Sequence, residues 1–115
     1  DIIWVGLAGP LANIIFAFIL VALLRLFPIH DFTLIYNIMK MTILVNLFLA
    51  AFNLVPIPPL DGSRVLFGLL PPNMAMRYMS IEPYGFMILF VLLWLGFIDW
   101  FVYPLVEILA RIIGV

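Results

Sequence analysis

Apolar residues run almost without interruption from Ile2 to Phe27, broken only by Gly6, Gly9, Pro10, Asn13 and Arg25. A helix needs about 20 apolar residues to cross a bilayer, so this run can span one with some tilt. Pro28, His30 and Asp31 mark a turn, and a second apolar run follows from Phe32 to Val55. Lys40 lies a third of the way along it. That places the first turns near the interface, where the lysine stem stays in lipid and the amine reaches toward water. Pro56-Ile57-Pro58-Pro59 then ends the helix, because each proline lacks an N–H and crowds the turn before it. The pattern predicts an extended stretch at this point. Asp61 and Ser63 are placed to cap a short helix over roughly Ser63 to Leu70, which Pro71-Pro72-Asn73 ends. Met74 to Glu82 reads as a loop or short interfacial helix. Tyr84 to Ile98 begins a third span that can run on past Asp99, and Pro104 to Val115 is amphipathic.

The elements predict an all-α, polytopic transmembrane helix bundle. It has about three spans, a proline-broken helix and short interfacial helices, in a single membrane domain over residues 1–115. Composition strengthens this reading. Hydrophobic residues make up 68% of the chain and charged residues 10%, and the mean hydropathy is +1.34. Soluble domains carry about 25% charge, and a chain of 115 residues has too little interior to hide so much apolar surface. The bilayer is therefore its expected partner. A net charge of −1 with no basic run argues against nucleic acid. The positive-inside rule does not orient the chain, because Arg25 and Lys40 flank one loop while Arg64 and Arg77 lie in the other.

The chain has no cysteine, which excludes disulfides and thiolate ligands, and a single histidine, His30. A metal site built by this chain alone must therefore rest mainly on carboxylates. His30, in a turn beside Asp31, reads as solvated. Asp61 is the most informative acid. It follows broken backbone leaving a membrane span, and such backbone is tolerated at membrane depth only where it is buried in protein or lines a cavity. A carboxylate there is costly and is a functional candidate by default. At a helix N-terminus its ionised form is favoured, and that form is a metal ligand. Spacing alone favours the plainer role of an interfacial helix cap, also paired with Arg64, and the two roles are compatible. Asn13, Asn46 and Asn53 lie within spans, where asparagine most often bonds helices together. Gly6, Gly9, Pro10 and Ala12 keep the start of the first span slim, which suits close helix packing.

Two motifs together resemble the site-2 protease family of intramembrane zinc metalloproteases, in its compact bacterial branch without a PDZ insertion. One is Ala8-Gly9-Pro10-Leu11-Ala12-Asn13. The other is Phe52-Asn53-Leu54-Val55-Pro56-Ile57-Pro58-Pro59-Leu60-Asp61-Gly62-Ser63-Arg64. It contains the family's Asn-x-x-Pro followed by Leu-Asp-Gly, and Glu82-Pro83-Tyr84-Gly85-Phe86 resembles the same branch. The resemblance implies that Asp61 is the third protein ligand of one catalytic zinc ion. It implies that Asn53 assists the oxyanion or the substrate backbone. Pro56, Pro58 and Pro59 would shape the substrate groove, while Gly9, Pro10, Asn13 and Gly62 belong to structural motifs. The substrate would be a membrane protein or peptide, and the location a multi-pass protein of the bacterial plasma membrane.

The sequence departs from the family at one point: it has no H-E-x-x-H, the motif that supplies two histidine ligands and the general base. The chain also starts at Asp1, without a basic n-region. Both features read as the C-terminal part of a longer protease core whose N-terminal helix carries the missing motif. On that reading the fragment alone is inactive. Two other readings fit the residues: a non-catalytic scaffold of the same family, and a transporter or channel with an ion site at a broken helix.

Overall fold

The computed structural model describes residues 2–58 and 60–114. Pro59 and the side chain of His30 lie outside the described parts, so the groove role expected of Pro59 has no structural counterpart here. Helix α1 spans Ile2–Leu26 and α2 spans Thr33–Asn53, joined through the 3-10 turn Ile29–Asp31. That short connection folds α2 back along α1. The buried positions of α2 are Ile43, Leu47, Ala50 and Ala51. Their spacing of three and four makes one stripe on a helix, and the two alanines let a neighbouring backbone come close.

Four shorter helices follow: α3 (Gly62–Leu69), α4 (Pro72–Met79), α5 (Gly85–Trp94) and α6 (Tyr103–Ile113). The core lies between α1, α2 and the C-terminal segment. Ala17 and Val21 meet Ile43, Leu47 and Ile113 in one cluster. Ala51 and Val55 meet Val102 in a second. No strand occurs among the described residues. Three helical stretches are long and apolar enough to cross a membrane: Ile2–Leu26, Thr33–Asn53 and Pro72–Trp94. The expected all-α bundle with about three spans is what the chain forms.

The third span is displaced from its expected position. It begins at Pro72 rather than Tyr84 and stops at Trp94 rather than Ile98. Pro72 opens α4 and Pro83 sits in the first positions of the 3-10 turn Glu82–Tyr84. The missing proline N–H has no intrahelical partner at such positions, so these prolines bend the segment without ending it. The stop comes at Gly96, whose φ of 86° is left-handed and costs glycine little. A π-type turn, Ile98–Val102, then leads into α6, which packs back on α2.

The proline-rich stretch also departs from expectation. Instead of an extended strand it forms consecutive tight turns. Ile57 N–H donates to Val55 O at 2.8 Å, and Leu60 N–H donates to Ile57 O at 2.8 Å. A proline's fixed φ suits the second residue of a turn, which is where Pro58 stands.

Candidate functional site

The end of α2, the proline turns and the start of α3 converge on α1 at Asp61. Leu54 closes α2, with its N–H donating to Ala50 O at 3.1 Å, and Val55 behind it is fully buried. The chain then doubles back so sharply that Gly62 lies against the carbonyls of Leu54 and Val55. A β-carbon at Gly62 would stand 2.6 Å from the Val55 oxygen and closer still to that of Leu54. Only a residue without a side chain fits this approach.

Asp61 stands at the N-cap of α3, yet its side chain makes no cap hydrogen bond. The carboxylate has no hydrogen-bond or ion-pair partner among the described residues, so neither the expected capping bond nor the Arg64 pair forms. It turns toward α1 instead. A β-carbon on Gly9 would lie 2.9 Å from Asp61 Oδ2, and one on Gly6 would lie 2.9 Å from the Asp61 carbonyl oxygen and 3.0 Å from Arg64 Cβ. The two glycines are one turn apart and open the face of α1 on which the Asp61 turn rests. They do serve close packing, as the sequence predicts, but the partner they admit is the candidate ligand itself. Pro10, in the same turn of α1, is fully buried. Asp61 is half-buried at the positive end of the α3 dipole, a place that favours an unpaired anion.

Asn46 and Asn53 bond within their own helix rather than across helices, and Asn13 makes no side-chain hydrogen bond among the described residues. Asn46 Nδ2 donates to Thr42 O at 2.8 Å and Asn53 Nδ2 to Leu49 O at 2.9 Å. An amide nitrogen carries two hydrogens, so Asn53 keeps a second donor while the first fixes its rotamer. Ser63 Oγ donates back to Leu60 O at 2.7 Å, holding the turn through Asp61.

The proline turns are fastened from outside. Tyr78 of α4 donates its hydroxyl to Pro56 O, and Gly85 at the start of α5 lies directly against the carbonyl of Pro58. Pro56 is exposed and Pro58 buried. With those carbonyls engaged and no proline N–H available, this wall offers shape more than backbone hydrogen bonds. Sequence reasoning missed Tyr78 and Gly85, because neither a lone tyrosine in a short helix nor a glycine at a helix start signals a distant carbonyl.

The model of Peptidase family M50 matches residues 28–96, more than half of the chain and the whole of the Asn53–Arg64 motif. The chain belongs to peptidase family M50. It is 37% identical over 95 residues to "Putative zinc metalloprotease YwhC" of Bacillus subtilis, a match covering 76% of this chain and 43% of that protein. It is 45% identical over 62 residues to "Putative zinc metalloprotease MJ0611" of Methanocaldococcus jannaschii, covering 54% of this chain and 31% of that protein. This M50 chain thus spans less than half the length of these relatives. No solved structure matches it.

A catalytic zinc site takes three protein ligands and leaves a position open. The described residues contain no group of three histidine, cysteine, aspartate or glutamate side chains able to hold a metal. Asp61 offers one carboxylate and nothing beside it completes the set, so the residues present do not fit a whole zinc site.

Proposed function

We propose that this chain is the part of an intramembrane zinc metallopeptidase that carries its aspartate ligand, Asp61, and the wall beside the substrate. The observation that carries this reading is the carboxylate itself. Asp61, like Asp31, Glu82, Asp99 and Glu107, has no ion-pair partner among the described residues, and its carboxylate turns onto a helix face left open by Gly6 and Gly9. A carboxylate left unpaired within a membrane bundle is costly unless a cation or a reaction uses it. Membership of peptidase family M50 and the zinc metalloprotease names of its relatives support the same assignment.

On this reading the remaining ligands and the base come from residues outside these 115, and the 115 residues alone neither hold zinc tightly nor cleave peptides. Asp61 supplies one oxygen donor. Asn53, with one amide hydrogen engaged by Leu49, directs the other to the substrate backbone or the developing oxyanion. The turns at Pro56 and Pro58 exclude water and shape the groove in which a peptide bond of a membrane-embedded substrate lies. The protein resides in a cell membrane.

The test uses the intact protein in detergent. Asp61→Ala and Asp61→Asn are each expected to lose zinc by elemental analysis and to lose cleavage of a transmembrane peptide, while the melting temperature stays close to wild type. A neutral amide is a poorer zinc ligand than a carboxylate, so the isosteric change fails as the truncation does. Normal zinc content and cleavage in both variants would remove Asp61 from the site. A wild-type protein that binds no zinc and cleaves nothing would favour a non-catalytic scaffold instead.

A further inference from the structure

The other end of the α1–α2 pair holds a second concentration of charge. Arg25 is in the last turn of α1, and Lys40 lies about two turns into α2. The short connection between the helices brings both to one cavity of about 190 Å³, which they line together with Val21, Tyr36, Ile43 and Gly114. None of the described residues lining it is acidic, and Lys40 has no ion-pair partner among the described residues.

Arg25 is held from one side. Its Nη2 donates to the carbonyl of Gly114 at 2.5 Å. Gly114 ends α6 in a left-handed conformation, φ 90°, and a β-carbon there would stand 2.6 Å from that nitrogen. The C-terminal cap of α6 therefore forms a seat for the guanidinium. A guanidinium carries five N–H donors, so one bond to a carbonyl leaves most of them for another acceptor. Both side chains are exposed, and as like charges lining one cavity they repel each other. An anion between them turns that repulsion into attraction.

Beside this cavity runs an apolar one of about 260 Å³, lined by Phe18, Val21, Ala22, Leu26 and Ile113, with Arg25 shared between the two. A cationic cup and an apolar groove that share Val21 and Arg25 as a common wall match a ligand with a phosphate at one end and a hydrocarbon chain at the other. We propose that Arg25 and Lys40 form a binding site for the phosphate of an anionic membrane lipid, with an acyl chain lying along Phe18, Ala22 and Ile113. Basic pockets between membrane helices are where anionic lipid headgroups bind. This site is independent of Asp61.

The experiment is native mass spectrometry of the intact protein in detergent, with phosphatidylglycerol and phosphatidylcholine offered at equal concentration. Wild type is expected to retain phosphatidylglycerol preferentially. Arg25→Gln combined with Lys40→Gln should weaken phosphatidylglycerol binding about thirtyfold, the product of two surface cations near a lipid anion, and leave phosphatidylcholine unchanged. Arg64→Gln combined with Arg77→Gln, the same charge loss elsewhere, should keep the preference, as should the charge-preserving Lys40→Arg. Equal retention of the two lipids by wild type overturns the proposal, whether or not any variant folds. A folded Arg25/Lys40 double variant that keeps the preference also overturns it. Excess inorganic phosphate is expected not to displace the lipid. Full displacement would make this a site for a free anion and refute the lipid assignment.

Discussion

Helices α1 and α5 are both strongly apolar, yet they meet the rest of the molecule in opposite ways. In α1, Gly6, Pro10, Ala17 and Val21 are buried against other elements, and Gly9 admits the Asp61 carboxylate. In α5 only Gly85 and Leu89 are buried, while Phe86, Met87 and Phe90 stand well exposed and Trp94 is 91% exposed. Lipid is as apolar as leucine, so hydrophobicity alone does not drive membrane helices together. The positions that decide contact are those without bulk. Small residues recur along α1 at the spacing of helix turns and leave a face another backbone can reach. In α5 the one small residue, Gly85, stands at its first position, and there the chain makes a close approach, to Pro58.

The sharpest break of this comparison is at Gly62, where the Asp61 turn that rests on α1 presses against the end of α2. Gly62→Ala places a methyl group into the carbonyls of Leu54 and Val55. These atoms belong to the end of α2 and cannot rotate away as a side chain can. Overpacking of this kind costs about 3 kcal/mol at the upper end of its usual range. The expected result in the intact protein is a markedly lower melting temperature in detergent together with loss of cleavage. A Gly62→Ala protein with wild-type melting would show that the turn after Leu54 is looser than the contact requires.

Gly9 separates positioning from packing. The nearest neighbour of a β-carbon there is a carboxylate oxygen, the far end of a side chain that can move. Gly9→Ala also replaces glycine within a helix, which by itself favours the folded state by roughly 0.5–1 kcal/mol. Stability is therefore expected to hold or rise slightly. Asp61 is pushed off its place, and a misplacement of about 1 Å can cost on the order of 10²-fold in rate. Zinc content and cleavage should fall while melting does not. If melting and cleavage fall together, the contact is structural and Gly9 does not position Asp61.

Much of the fold is legible because length and polarity dictate it. The spans in α1 and α2 end within two residues of where the apolar runs end, and the short helix expected over Ser63 to Leu70 forms over Gly62–Leu69, ahead of Pro71 and Pro72. The third span is legible in existence but not in register. Its limits are set by Pro72, which starts a helix, and by Gly96, whose left-handed φ is a property of the folded backbone. The proline stretch is misread as extended because a proline φ serves an extended segment and a turn alike. At the site, the position of Asp61 is readable from the motif, but the direction of its carboxylate is not. That direction depends on Gly9, far away in sequence, and on an N-cap that the side chain declines to fill. Tyr78 and its bond to Pro56 are equally non-local.

The smallest expected effect lies on α5 and completes the comparison. Phe90 is 69% exposed, on a helix whose flanks touch little else. If lipid is its neighbour, Phe90→Ala exchanges one apolar surface for another without opening a cavity, because acyl chains refill the space. The change in stability should then stay within about 0.5 kcal/mol, the usual range for surface substitutions. The same truncation at Leu47, fully buried between α1, α2 and α6, leaves a void that packed helices close only in part and costs about 2–5 kcal/mol. Measured by melting of the intact protein in one detergent, the pair should differ by several degrees. Should Phe90→Ala destabilise as much as Leu47→Ala, the exposed side of α5 is covered by protein in the intact molecule. The contrast between the two helices would then reflect which parts of the protein are present rather than which faces lipid occupies.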